Sequence, residues 1–598
     1  MSSRQPYRGL SRKLVIAFDV GTTYSGASYC ILDPGEVPKI LGVARYPAQE
    51  HLGGDNKIPS ILYYDQQHTV RAAGGEALQE HVIEQAEDEN WVKVEWWKLH
   101  LRPRNVPSLH VDDLDIPPLP PFKNAIDILT DFLGYLFQCA RTYIEESHAN
   151  GRDVWTSFGD NIDFVLSHPN GWEGPQQAQI RKAAVQARLV PDTPEGQARI
   201  RLVTEGEASL HYCLESRNAA DGLQDDVGVM IIDAGGGTID VTSYYMTSSE
   251  SPPMLHEIAP AECRLQGSVF VTQRAGQHLR EKLQGSRFGT EEDINLMKNE
   301  FDKTTKLRFS NPNDPSFIRF GTVRDRDLDY NIRSGQLKLP GNEVAALFEP
   351  SAEAIIAAVE DQREVATQPI SHVFLVGGFG ASDWLFARLR DHLEPLGLQF
   401  CRPDGHTNKA VAKGAVAFYL DHRVSARVAK FTYGTRCAVA FDRNDEEHLR
   451  RASSAIPRPS GRTVIPNAFS AILCKGIAVS ETKEFRKDFI VECAERNTCD
   501  TIATEIVCYR GNSRNPRWAD SEPAMFSNLC TVHADTSRVS RTLSPRRGFA
   551  GMQFYRQQFS IVLKFGLTEL EAQISWVEDG EEQRGPATVV FDHVVEAI

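Results

Sequence analysis

The sequence predicts an α/β protein built from a duplicated half and followed by a separate, mainly β domain. Three observations carry that expectation. A strand that ends in an aspartate and a Gly-Thr turn occurs twice, about two hundred residues apart. A strong β run at Val373–Val376 breaks into a Gly-Gly turn and opens a helix. After about His422 the alternation of strands and helices gives way to short β-rich runs. At roughly 150 residues per domain, 598 residues suggest about four folding units or fewer large ones.

The first signature reads Val15-Ile-Ala-Phe-Asp19-Val-Gly21-Thr22-Thr23-Tyr24-Ser-Gly26-Ala-Ser-Tyr29, a hairpin preceded by a basic, polar stretch expected to be disordered over residues 1–12. Alone it is an ordinary buried strand with a turn. It recurs as Val229-Met-Ile-Ile-Asp233-Ala-Gly235-Gly236-Gly237-Thr238-Ile-Asp240-Val-Thr-Ser-Tyr244, and repetition implies a duplicated α/β unit whose halves face each other across a cleft. The glycines let backbone approach a phosphate, and the threonine hydroxyls add donors. Aspartates at strand ends suit Mg²⁺, which keeps several waters. No GxxxxGK[ST] is present, and Gly377-Gly378-Phe379-Gly380 is not GxGxxG, because Asp383 stands at the third glycine position. Ser382 is the expected N-cap of the following helix, with Leu385, Leu389 and Leu393 as its buried stripe.

Between Leu101 and Phe122 the prolines allow no regular helix, so this is a loop or insertion. Ile128, Phe132, Leu136 and Ala140 mark a long core helix over Ile126 to Glu146. Beyond residue 425 the β runs include Arg436–Phe441, Ala471–Cys474, Phe489–Cys493 and Thr504–Cys508. In the last strand Leu570, Ala572, Ile574 and Trp576 alternate with polar residues.

These segments, in this order, resemble the phosphate 1, phosphate 2 and adenosine elements of the actin, hexokinase and heat-shock protein 70 superfamily. The wording is nearest heat-shock protein 70 from about Leu14 to Leu420. Leu202-Val-Thr-Glu205 resembles the connecting element, and Asn408 to Ala417 the closing helix. The resemblance implies a bilobal, actin-like (ribonuclease H-like) ATPase domain over residues 13–425, with lobes at about 13–225 and 226–425, and a β-rich client-binding domain over 426–598. It implies that Asp19 and Asp233 orient a hydrated Mg²⁺ and the attacking water, with Glu205 in the outer metal shell. Gly21, Thr22, Thr23, Tyr24, Gly235, Gly236, Gly237 and Thr238 would bind ATP or ADP, and Asp240 would act beside the second turn. Lys98, in Trp96-Trp97-Lys98-Leu99, matches the catalytic lysine, with Lys93 as its rival. Asp302, Lys306, Gly377, Gly378 and Phe379 would form the base side.

The departures from the family pattern carry information as well. Gly206 replaces the proline switch, Ala381 the base-stacking arginine and Thr305 a lysine. No acidic-leucine linker, helical lid or acidic tail is seen, and the chain ends Val594-Val-Glu-Ala-Ile598. The plan therefore resembles the divergent, lidless member-12 branch.

Composition narrows the rest. Apolar residues at 41% and charged residues at 24% exclude wholesale disorder. A net charge of −15, from 80 acidic against 65 basic residues, gives no reason to expect nucleic acid. No apolar window of about 18 to 20 residues is present, so no membrane partner is expected. The 11 scattered cysteines fit free thiols in the cytoplasm, with the nucleus as an alternative. The expected function is slow ATP hydrolysis coupled to protein or peptide binding, with a nucleotide-exchange or co-chaperone partner. The alternative is a weakly catalytic or non-catalytic nucleotide-gated scaffold. Small-molecule kinase chemistry lacks a spare aspartate in the required context.

Overall fold

The computed structural model describes residues 4–49, 57–103, 116–172, 174–215, 226–247, 254–403, 409–480, 483–566 and 569–589. The chain forms two compact units, one of Met1–Trp172 with Gln179–Val424, the other of Glu173–Ala178 with Ser425–Ile598.

In the first unit, five strands of the first lobe are β1 (Lys13–Asp19), β2 (Tyr24–Leu32), β3 (Leu41–Gly42), β4 (Ile162–His168) and β5 (Ile200–Thr204). They lie in the order β3-β2-β1-β4-β5. The first three are antiparallel, while β4 runs parallel to β1 and β5 parallel to β4. The second lobe repeats this with β6 (Val227–Ala234), β7 (Ile239–Thr247), β8 (Met254–Glu257), β9 (Ile370–Val376) and β10 (Gln399–Cys401). Their order is β8-β7-β6-β9-β10, with the same pattern of strand directions. The duplication thus extends from one turn to two whole sheets.

Each central strand is apolar on both faces because both faces are covered. In β1, Leu14, Ile16 and Phe18 enter one core and Val15 and Ala17 another. In β6, Met230, Ile232 and Ala234 separate in the same way from Val229 and Ile231. The first core is closed by α1 (Ala125–Ser147), whose capping box at Asn124 and Asp127 fixes its start. Ile128, Phe132, Leu136 and Ala140 are fully buried along it.

Two equivalent helices, α2 (Glu205–Glu215) after β5 and α3 (Ala410–Asp421) after β10, pack on each other between the lobes. Their approach depends on Gly414, where a Cβ would lie 1.7 Å from the Ala208 carbonyl oxygen. Alanine normally strengthens a helix relative to glycine by about 1 kcal/mol. Here the obstacle is backbone, and Gly414→Ala is expected to destabilise the first unit by about 2–3 kcal/mol in denaturant unfolding. A stabilising result would show that the helices separate at no cost.

The N-terminal expectation needs correction. From residue 4 onward the segment is held to the first unit, with Tyr7 N–H donating to Glu36 O at 2.9 Å and Gly35 N–H to Tyr7 O at 2.9 Å. Arg4 pairs with Glu215 at the end of α2 and with Asp421 at the end of α3, the latter at 2.9 Å. Cations at helix C-termini are favoured by the helix dipole, which the composition of a basic tail does not reveal. Residues 104–115 of the proline-rich stretch, Asn408, and the end of the chain lie outside the described residues.

The second unit is a sandwich of two antiparallel sheets. One contains β11 (Thr432–Ala440), β12 (Thr463–Leu473), β14 (Thr501–Tyr509) and β15 (Phe526–Asp535), ordered β12-β11-β14-β15. The other contains β13 (Glu484–Cys493), β16 (Gln553–Gly566), β17 (Glu569–Glu578) and β18 (Glu581–Arg584), ordered β13-β16-β17-β18. Both sheets supply the core, with Ile506 and Val532 from one and Ile561, Leu563, Ala572 and Ile574 from the other. Leu570, Ala572, Ile574 and Trp576 point inward as the alternation predicts. Ser575 is also buried, because β18 covers it and its hydroxyl donates to Glu582 at 2.8 Å.

Candidate functional site

The two Gly-Thr turns meet. β1 ends at Asp19 and β6 carries Asp233 just before its end, so each aspartate sits at the mouth of its sheet. A Cβ on Gly236 would lie 2.3 Å from Thr23 Oγ1, and one on Gly237 would lie 2.4 Å from Thr22 Oγ1. Glycine is therefore required where the backbone of one turn faces the hydroxyls of the other. The carbonyls of the second turn are taken from behind by the helix that starts at Ser268: Gly235 O accepts Ser268 N–H at 3.1 Å and Gly236 O accepts Val269 N–H at 2.9 Å. In the first turn, Ser25 Oγ accepts Gly21 N–H at 3.1 Å and Ser60 Oγ donates to Gly21 O at 2.7 Å. The third element closes on the same point. Gly377 has φ +88°, and a Cβ there would lie 2.4 Å from both Ala234 O and Asp233 Oδ1.

Four carboxylates gather around these turns. Asp19, Glu205, Asp233 and Asp240 are 2%, 8%, 4% and 0% exposed. Lys57 pairs with Asp19 at 2.5 Å and Lys98 with Glu205 at 2.6 Å. Ser209 donates to Asp233 Oδ2 at 2.7 Å, and Asn170 N–H donates to Asp240 Oδ1 at 2.6 Å. Among the described residues Asp240 Oδ2 accepts no hydrogen bond. Four carboxylates against two lysines leave an excess of two negative charges if all ionise, and the protonation equilibria respond. Burial, then the Glu205 charge, pushes Asp233 up to about 7, and the same two causes push Asp240 well above the carboxylate range. Burial also raises Glu205, with Lys98 opposing it. For Lys98 burial is the largest influence and acts downward, but the charges of Glu205, Asp19 and Asp240 together outweigh it and the ammonium form is favoured. His168, pushed down to about 4 chiefly by burial, adds no compensating charge at neutral pH.

Such a site fits a divalent cation that keeps its waters. Among the described residues no three His, Cys, Asp or Glu side chains could hold a metal ion directly, while an unpartnered buried carboxylate oxygen and excess negative charge remain. The glycine-lined contact between the turns is the type of backbone that accommodates phosphate oxygens.

The residues expected at the base are placed differently from those of the two turns. Asp302 lies in a short π-helical turn, Phe301–Thr305, and pairs with Lys306 and with the Thr272 hydroxyl. Lys306 also donates to Thr272 Oγ1 at 3.0 Å and to Ser268 O at 3.4 Å, so its three hydrogens have internal partners. Tyr24 is 53% exposed as a residue, and burial, then the Asp302 charge, raises the pKa of its hydroxyl. Gly378 has open space around it. The Phe379 side chain is core and not a ligand contact, since it is 5% exposed and packs on Phe348 with centroids 6.1 Å apart. Lys93 is exposed and pairs with Glu95, whereas Lys98 is buried among the carboxylates.

Sequence reasoning missed Lys57, Asn170 and Ser209. Ser209 was accessible, standing one helical turn after Glu205 on α2. Lys57 stands just before the two-residue strand Ile58–Pro59 and Asn170 in a turn, and neither position carries a periodic signal.

No protein-family model matches the chain. It is 23% identical to mouse (Mus musculus) Heat shock 70 kDa protein 12A over 502 residues, covering 70% of this chain and 71% of that protein. Against the human (Homo sapiens) Heat shock 70 kDa protein 12A it is 24% identical over 505 residues, with the same 70% and 71% coverage. Together with the duplicated, actin-like α/β fold, these matches support a heat-shock protein 70-like relationship of the member-12 type.

Proposed function

We propose that the first unit binds ATP and ADP with Mg²⁺ and hydrolyses ATP slowly, and that the β-sandwich binds protein or peptide clients under its control. The observation that carries this reading is the buried excess of carboxylates beside two touching Gly-Thr turns. Asp19 and Asp233 hold the hydrated cation, and Thr22, Thr23 and residues 235–238 hold the phosphates. The cation, when bound, neutralises phosphate charge. Lys98 and Glu205 form a buried pair able to position water and support charge next to it.

The test is a calorimetric titration with Mg-ATP combined with thermal unfolding. Ligand at a hundredfold above its dissociation constant should stabilise the chain by about 2.7 kcal/mol. Asp19→Ala should lose both heat and stabilisation, because it removes one of the two carboxylates that hold the cation. Absence of heat and of stabilisation in the native chain would defeat the nucleotide reading.

A second reading, a nucleotide-gated scaffold without turnover, draws on two observations. Lys98 is already committed to Glu205 at 2.6 Å. At Gly206 a Cβ would lie 2.8 Å from the Thr242 side chain, so a proline there would have to displace Thr242. Phosphate release equal in the native chain and in Asp19→Ala, with nucleotide still bound by the native chain, selects this reading.

A further inference from the structure

The β-sandwich carries a surface feature that nucleotide chemistry does not use. Two hairpin tips abut at one edge. The first spans 456–464, where Ile456 and Pro457 pair with Val464 and Thr463 and the turn closes with Arg458 N–H on Arg462 O at 2.8 Å. The second spans 546–554, where Arg546 and Arg547 pair with Phe554 and Gln553 and Gly548 N–H donates to Met552 O at 2.8 Å. Their backbones are in contact: a Cβ on Gly548 would lie 1.9 Å from Pro459 O, and one on Gly461 would lie 2.9 Å from Phe549 Cβ.

The tips combine two properties. Phe549 is 73% exposed and Met552 60%, and Ile456 beside them is 43% exposed. Arg458, Arg462, Arg546 and Arg547 are exposed around them, and none makes an ion pair with a described residue. The carboxylate of Glu492 at this edge accepts the Ser460 backbone N–H at 3.3 Å. In a chain of net charge −15, four guanidiniums without an ion pair to any described residue, set around exposed apolar side chains, are a local reversal of character. Over a Debye length of about 8 Å the local charges govern a contact more than the net charge does.

We propose that, although no segment is apolar enough to span a bilayer and no membrane partner was expected on that ground, these paired tips dock peripherally on an anionic lipid surface, with Phe549 and Met552 entering the headgroup boundary and the four arginines meeting lipid phosphates and carboxylates. Exposed apolar side chains on protruding turns suit a fluid surface that conforms to them, and the unpaired guanidiniums supply the matching charge.

Co-sedimentation of the full chain with vesicles of phosphatidylcholine alone, or of phosphatidylcholine with phosphatidylserine, tests this. Binding is expected only to the anionic vesicles and should weaken with salt. Arg546→Glu with Arg547→Glu should lower partitioning at least about 30-fold, at a factor of about five per basic residue near the surface. Phe549→Ser should lower it several-fold at unchanged charge. Both variants alter exposed residues, and an unchanged melting transition verifies their fold. Equal binding to neutral vesicles, or unchanged binding by the double variant, overturns the proposal. So does saturable binding of a glutamate-rich peptide or a single-stranded oligonucleotide with no vesicle binding.

Discussion

Lys98→Ala is expected to cost the first unit about 3–5 kcal/mol, a large share of the stability of any domain. The reason lies in what it leaves behind. Glu205 is 8% exposed and its near neighbours include the carboxylates of Asp19, Asp233 and Asp240. Without the ammonium at 2.6 Å, Glu205 must either stay ionised in a low-dielectric site or take up a proton. Uptake of the proton limits the loss at acid pH, so the penalty should be greater at about pH 8 than at about pH 5. Glu205→Gln removes the stranded charge, and the double variant should recover at least about 1–2 kcal/mol relative to Lys98→Ala alone. A double-mutant cycle in denaturant measures this. If Lys98→Ala costs less than about 1 kcal/mol, or if the double variant is no more stable, the pair is a surface-like contact and the charge ledger of the site is wrong.

The parts of this arrangement that were legible in the sequence are those written by period and turn chemistry. The unbroken apolar stretch Leu14–Phe18 marks a strand covered on both faces, and the repeated Asp-x-Gly-Thr turn marks its twin. Ser382 caps its helix as expected, its hydroxyl accepting Leu385 N–H at 3.3 Å. What was not legible depends on where irregular segments come to rest. Lys57 reaches Asp19 from just before the two-residue strand Ile58–Pro59 and Asn170 reaches Asp240 across the lobes, and neither has a local pattern that specifies its partner. Phe379 shows the opposite failure. Its position after Gly377-Gly378 resembles a ligand contact, but burying an aromatic ring against Phe348 stabilises the second core more than a half-exposed position would. The Arg4 contacts are a further case, since they need the ends of α2 and α3 to lie side by side, a tertiary fact.

Asp233→Asn should separate stability from function in opposite directions. Asp233 is 4% exposed, and burial together with the Glu205 charge lifts its folded value to about 7 from an ordinary 3.8. A carboxyl raised on folding gives full stability below its unfolded value, loses it as pH climbs through the interval and has lost it above the folded value. Between about pH 4 and pH 7 the native chain therefore surrenders stability that an asparagine, which does not titrate, retains. The advantage of Asp233→Asn over the native chain should grow by about 2–3 kcal/mol from pH 5 to pH 8, at 1.36 kcal/mol per unit. Ser209 keeps an acceptor in the variant, so its hydroxyl is not stranded. Saturating Mg-ATP should reverse the order, because a cation near Asp233 favours the ionised form that burial disfavours, and the variant offers it only an amide. Thermal unfolding across this pH range, with and without Mg-ATP, reads both effects. Parallel pH curves for the two chains would show that Asp233 is already ionised without a cation. Full nucleotide stabilisation of the variant would remove Asp233 from the cation site and leave Asp19 to hold it alone.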